Sequence, residues 1–119
     1  MNRTRTVFES AARTATHNSE DFVNDGRGLV VTIDATAETD TASVVFKIQG
    51  KDPVSGTYRD ILESAAITGI GTTVLKVHPS LTAASNTVAK DMAPAIYRIL
   101  ATHADADSLT YSVGAEELV

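Results

Sequence analysis

The sequence contains no cysteine, which excludes disulfide frameworks, thiolate metal sites and cysteine nucleophiles. Tryptophan is also absent and aromatic residues make up only 5% of the chain, a poor supply for the stacking platforms that bind sugars or bases. No apolar run approaches the roughly 18 residues that a membrane span requires. Arg3 and Arg5 lie near the start, but Ser10 to Asp25 is charged and polar where a signal peptide needs its apolar region. Assembly in a cytoplasm, with no membrane partner, is the expectation. Basic residues are outnumbered, 10 Lys and Arg against 15 Asp and Glu, for a net charge of -5. A nucleic-acid binder needs a basic stripe to neutralise phosphates, so no nucleic-acid partner is expected. What is present is a chain of 119 residues, 43% hydrophobic. It is too apolar for a disordered tail and long enough to bury roughly two-thirds of its unfolded surface.

The dominant pattern is alternation with a period of two, the mark of half-buried strands. Leu29, Val31, Ile33 and Ala35 share one face, against Thr32, Asp34 and Thr36. Val44, Phe46 and Ile48 alternate with Ser43, Lys47 and Gln49. Thr57 to Ser64 is weaker, placing Tyr58 and Leu62 on one face and Ile61 on the other. Leu75 and Val77 oppose Lys76 and His78, and Leu109, Tyr111 and Val113 oppose Ser108, Thr110 and Ser112. Ala95 to Thr102 alternates too, although Ile96 and Leu100 make it apolar on both faces. Thr4 to Ala11 offers an edge strand through Val7 and Phe8.

Between these stretches lie turn signals. Gly50-Lys-Asp-Pro-Val-Ser-Gly56 has Asp, Pro and Gly where a tight hairpin loop needs them. Residues 9 to 27 mix small and charged types and read as an extended arm or long loop. Leu81 to Met92 allows one or two helical turns, capped by Ser80 and stopped by Pro94, or a long crossing loop. The expected fold is all-β: a single antiparallel β-sandwich or barrel-like domain of about six to eight strands with an extended N-terminal arm. Residues 1–25 form the arm or edge segment and 26–119 the sandwich.

Candidate chemistry does not converge along the chain. His17, His78 and His103 have no recognised ligand spacing and read as rim histidines, so no metal is expected. Asp105-Ala-Asp107 lacks the glycine and bidentate glutamate of a calcium loop, and reads as a solvated turn. Asp34, Asp60 and Glu63 could pair for glycoside hydrolysis, but the aromatic cleft for it is missing. No serine sits in a Gly-x-Ser-x-Gly turn, and Gly69-Ile-Gly71 lacks the lysine and following helix of a phosphate loop. No catalytic residue, no cofactor and no enzymatic activity are expected. Arg98 emerges from apolar neighbours and has two readings: an inter-strand ion pair with Glu63 or Asp60, or an interface anchor.

Four segments follow one another in a familiar order: Gly28-Leu-Val-Val-Thr-Ile-Asp34, Val45-Phe-Lys-Ile-Gln-Gly-Lys-Asp-Pro-Val-Ser-Gly-Thr-Tyr58, Thr72-Thr-Val-Leu-Lys-Val-His-Pro79 and Asp105-Ala-Asp-Ser-Leu-Thr-Tyr-Ser-Val-Gly-Ala115. Together they resemble small virion structural proteins of tailed bacteriophages and prophages, particularly of actinobacterial hosts. The resemblance runs from about residue 24 to the C-terminus. It is most specific in the Ile-Gln-Gly-Lys-Asp-Pro-x-Ser-Gly hairpin and the Thr-Tyr-Ser-Val-Gly-Ala ending. It implies a capsid decoration (cement) protein that binds and stabilises the outer surface of the major-capsid shell. The implied partner is the major capsid protein, and the implied assembly a homo-oligomer, with a trimer favoured. Arg3, Arg5, Val7, Phe8, Phe22, Tyr97 and Arg98 are the candidate capsid or subunit interface residues. The alternatives are a tail-tube, tail-terminator or head-tail connector component, or a virion-surface carbohydrate- or receptor-binding module using Tyr58, Tyr97 or Tyr111.

Overall fold

The computed structural model describes residues 3–118. They form ten strands and no helix: β1 (Arg3–Arg13), β2 (His17–Asn18), β3 (Phe22–Val23), β4 (Gly28–Glu38), β5 (Val44–Lys51), β6 (Tyr58–Glu63), β7 (Gly71–Val77), β8 (Val88–Ala89), β9 (Ile96–His103) and β10 (Leu109–Leu118). One sheet has the order β1-β10-β4-β7-β8; the other has the order β2-β9-β5-β6, with β3 also pairing β9. Every pairing is antiparallel except β7 with β8. The molecule is a two-sheet sandwich.

The alternating residues face inward as their period requires. Leu29, Val31, Ile33, Val44, Phe46, Ile48, Leu75, Val77, Ile99 and Leu109 are all fully buried. Each such side chain contributes about 1.5–3 kcal/mol by leaving water. Strand β6 departs from the expected faces. The register passes from Ile48↔Leu62 to Gln49↔Asp60, leaving Ile61 as an extra bulged residue. The bulge reverses the parity of the strand, so Leu62 points into the core while Tyr58 joins the outer face. The loop before β6 is a hairpin, as its residues require. The Asp52 carboxylate accepts hydrogen bonds from the Ser55 hydroxyl at 2.6 Å and from the Val54 amide at 3.2 Å. Gly56 closes the turn at φ 77°, a backbone angle that a side chain would strain. Residues 81–92 hold no helix; they form a loop that adds the two-residue β8 to the edge of β7.

At the N-terminus the structure takes the edge-strand form of the two readings. Residues 1 and 2 are outside the described residues, but 3–25 are not a free arm. Strand β1 is the edge strand of the first sheet, paired with β10 from Arg3↔Glu117 to Arg13↔Leu109. The chain then crosses to the second sheet, where β2 and β3 both pair with β9. Between them the Ser19 hydroxyl accepts from the Ile99 amide at 2.9 Å, while the Ser19 amide donates to the Ile99 carbonyl. The two short strands are therefore one interrupted edge. The return to the first sheet is tight: a Cβ on Gly26 would collide with the Leu118 carbonyl oxygen.

Strict alternation fails along β1 because the strand carries two register shifts, on either side of Phe8. They turn Arg5, Phe8 and Arg13 all toward the sandwich opening. Inward-pointing charge and bulges protect a strand edge from pairing with other chains. Arg5 donates to Glu117 at 2.8 Å, and the Tyr97 hydroxyl donates to the same carboxylate oxygen at 2.8 Å. Glu117 is 3% exposed, so its carboxylate is met by these partners and not by water. Arg5→Ala is expected to lower unfolding free energy by about 2–4 kcal/mol in chemical denaturation, because it leaves a buried carboxylate with only the half-exposed Arg3, 3.9 Å away, as a cation. Thr4→Ala, on the solvent side of the same strand, is expected to change it by less than about 0.5 kcal/mol. Equal effects would contradict the assignment.

Candidate functional site

Pairing fixes which side chains share the outer face of the second sheet. The register Val45↔Thr102, Lys47↔Leu100 and Gln49↔Arg98 places these residues of β5 and β9 together, pointing away from the core. The bulge in β6 adds Tyr58, Asp60 and Glu63 to that face. Asp21, in the break between β2 and β3, closes it from the other side.

These side chains form a connected network. The Arg98 guanidinium carbon lies 3.5 Å from the centroid of the Tyr58 ring, stacked over its face. Its Nε donates to Gln49 Oε1 at 2.9 Å, and Gln49 Nε2 donates to Asp60 at 2.8 Å. Lys47 Nζ lies 3.3 Å from Asp60 and 3.8 Å from Glu63. At the opposite end, the Tyr58 hydroxyl and Lys51 Nζ both donate to Asp21, at 2.7 and 3.0 Å. The Tyr58 hydroxyl, followed by Lys51, holds the Asp21 carboxyl below its ordinary value near 3.8. The Gln49 amide, ahead of Lys47, does the same for Asp60. Three carboxylates thus face three cations, and the rotamers of Arg98, Tyr58 and Gln49 are already held. Ile96 and Leu100 lie half-buried beside the network, and Val23, opposite Ile96, is 60% exposed. The face is flat, locally neutral and partly apolar.

The residues singled out in the sequence separate into two groups. Arg98 lies in this face; it reaches Asp60 through Gln49 rather than by a direct ion pair. Tyr97 is fully buried with its hydroxyl on Glu117, Phe22 is 7% exposed and Phe8 is 8% exposed. Those three build the core and offer no surface in the folded protomer. Val7 packs partly against that core. Arg5 is held by Glu117 and by the Val23 carbonyl, while Arg3 stays exposed between Asp25 at 3.6 Å and Glu117 at 3.9 Å. Tyr111 is also fully buried, so of the three tyrosines only Tyr58 retains outward surface.

Two histidines expected to stand apart are brought together. His17 Nε2 and His103 Nε2 both contact the Tyr111 hydroxyl, at 2.6 and 3.0 Å. His78 is elsewhere, hydrogen-bonded to Ser80. Among the described residues no three His, Cys, Asp or Glu side chains gather as a metal site would require. Asp105 accepts from the Asp107 amide, the local bonding of a turn, and Asp107 accepts from the Thr41 amide and hydroxyl, which ties that turn to the loop after β4. A groove of about 360 Å³ beside β7 is lined by residues 65–67, 69–73 and 85–87, none of them titratable.

No protein-family model matches the chain, and no curated protein matches it. Among solved structures, a chain described as "Structure of infectious bursal disease virus Gx strain" superposes with a TM-score of 0.43 at 12% identity, covering 98% of this chain and 31% of that chain. A likeness of that size carries no inference about function.

The depressed Asp21 carboxyl sets a pH dependence. A carboxyl with a folded value below its unfolded one contributes stability above about pH 4 that is lost as pH falls through the folded value. Asp21→Asn is expected to flatten the decline of melting temperature between about pH 4 and pH 2. An unchanged acid decline would show that the network does not bind Asp21 in solution.

Proposed function

We propose that this protein is a non-catalytic structural component of a tailed-phage virion, a decoration (cement) protein on the outer surface of the major-capsid shell. It docks through the outer face of the second sheet and acts as a homo-oligomer, with a trimer favoured. The observation that carries this reading is the pre-ordered network around Arg98 and Tyr58 on an open sheet face. Arg and Tyr are the residue types that anchor interfaces. Because their rotamers are already held, docking freezes few side chains. Because the face is neutral, docking buries no unpaired charge.

Three further features support the reading. The hairpin and C-terminal motifs resemble those of phage virion proteins. The sandwich blunts its edges with bulges, inward arginines and two-residue strands, which suits a block meant to dock by a face and not to polymerise by its edges. The net charge of -5 favours a position outside a shell filled with DNA.

The test mixes purified protein with undecorated capsids. Co-sedimentation, together with presence in virions by mass spectrometry, is expected. Arg98→Ala is expected to weaken capsid binding about tenfold, or 1.4 kcal/mol, while leaving cooperative unfolding intact. Absence from both sediment and virion would overturn the proposal. A six-membered ring in solution would favour the tail or connector reading, and glycan binding abolished by Tyr58→Ala would favour the receptor-binding one.

A further inference from the structure

We propose that the His17–Tyr111–His103 cluster is a proton-operated latch on the corner where the chain crosses between sheets, with His17 as the switching residue. Three strands meet there: His17 on β2, His103 on β9 and Tyr111 on β10. The corner is residues 13–17, between β1 and β2. The His17 ring packs on Phe8 of β1 with centroids 4.4 Å apart. Arg13 closes the cluster from β1, its guanidinium 4.8 Å from the Tyr111 centroid and 5.3 Å from that of Phe8. It also donates to the Tyr111 carbonyl at 2.8 Å. The charged and titratable groups around the two imidazoles are thus Arg13 from β1, Tyr111 from β10, each imidazole to the other, and Asp105 beyond the end of β9. Asp105 acts on His103, and no carboxylate acts on His17.

One phenol between two imidazoles forces a division of roles. Tyr111 has a single proton, so it donates to one imidazole and accepts from the other. Hydrogen bonds donated by a hydroxyl run shorter than those donated by an N–H. We therefore assign the 2.6 Å contact to Tyr111 donating to His17, and the 3.0 Å contact to His103 donating to Tyr111. Burial holds the hydroxyl proton firmly, pushing the Tyr111 value up to about 12.

The two histidines then respond differently to acid. His103 already carries the proton that faces Tyr111, so a second proton on its other nitrogen leaves that bond intact. A proton on His17 Nε2 instead turns an acceptor into a donor. The Tyr111 O–H must swing away, and a new cation is left beside Arg13. Burial first, then Arg13, then His103 lower the His17 value from the ordinary 6.5. For His103, burial and Arg13 lower the value while Asp105 raises it. A His value depressed by folding contributes stability above its unfolded value that is lost as pH falls through the folded one. The loss falls on the corner and on the adjoining half of β1, because the other half is held by Arg5 and Glu117.

Hydrogen exchange on the intact chain tests this. Corrected for intrinsic rates, protection of residues 8–18 is expected to fall about tenfold or more between about pH 7.5 and pH 5, while β5 stays protected. His17→Gln keeps an acceptor for Tyr111 without a titrating group, and is expected to abolish the fall. His103→Gln is expected to keep it. Constant protection across pH, or a fall that survives His17→Gln, would overturn the proposal. The wild-type imidazole resonances give a second readout that needs no variant: His17 is expected to titrate below His103, and the reverse order would contradict the assignment of roles.

Discussion

The N-terminal segment belongs to both sheets, and the sandwich depends on that crossing. Strand β1 covers the open edge of β10, and the residues that follow cover the open edge of β9. A single covalent stretch thus closes the same flank of both layers. Backbone pairing alone would leave the gap between the layers open to water. It is filled by Phe8 and Phe22 and closed at its two ends by arginines. Arg5 meets a buried carboxylate at one end, and Arg13 covers a buried phenol at the other.

The two junctions differ in kind. The Arg5–Glu117–Tyr97 group is a buried charge compensated by a cation and a hydroxyl, and it commits three strands to one geometry. The His17–Tyr111–His103 group is uncharged when satisfied and contains two imidazoles that burial holds below their ordinary value. One end of the crossing is thus fixed by charge, while the other depends on where protons sit. With its flank closed this way, the protein leaves one broad pre-ordered face outward, the sheet surface around Arg98 and Tyr58. The proposed function rests on that face.

Much of the fold was legible in the sequence. Wherever a strand keeps strict alternation, as in Leu29 to Ala35 or Val44 to Ile48, its inward set is the buried set. The illegible parts are those where backbone register departs from a period of two. The bulge at Ile61 moved Tyr58 to the outer face, and the shifts around Phe8 turned three residues of a polar-looking segment inward. Glu117 was equally hidden, because a carboxylate at an inward position near the end of a chain gives no sign of the arginine that will meet it. Of the site, Arg98 was visible as a cation amid apolar neighbours. Gln49, Asp21 and Lys51 were not, since they reach it only through pairing between distant strands. Tyr97 and Phe22, named as candidate capsid or subunit interface residues, lie in the interior of the folded protomer.

An electron cryo-microscopy map of the intact virion tests the central claim most directly, because location, copy number and orientation appear together. This sandwich is expected on the outer surface of the shell, with the Arg98 and Tyr58 face against the major capsid protein and β1 still paired to its own β10. A map without it on the shell, or with that face turned to solvent, would contradict the account.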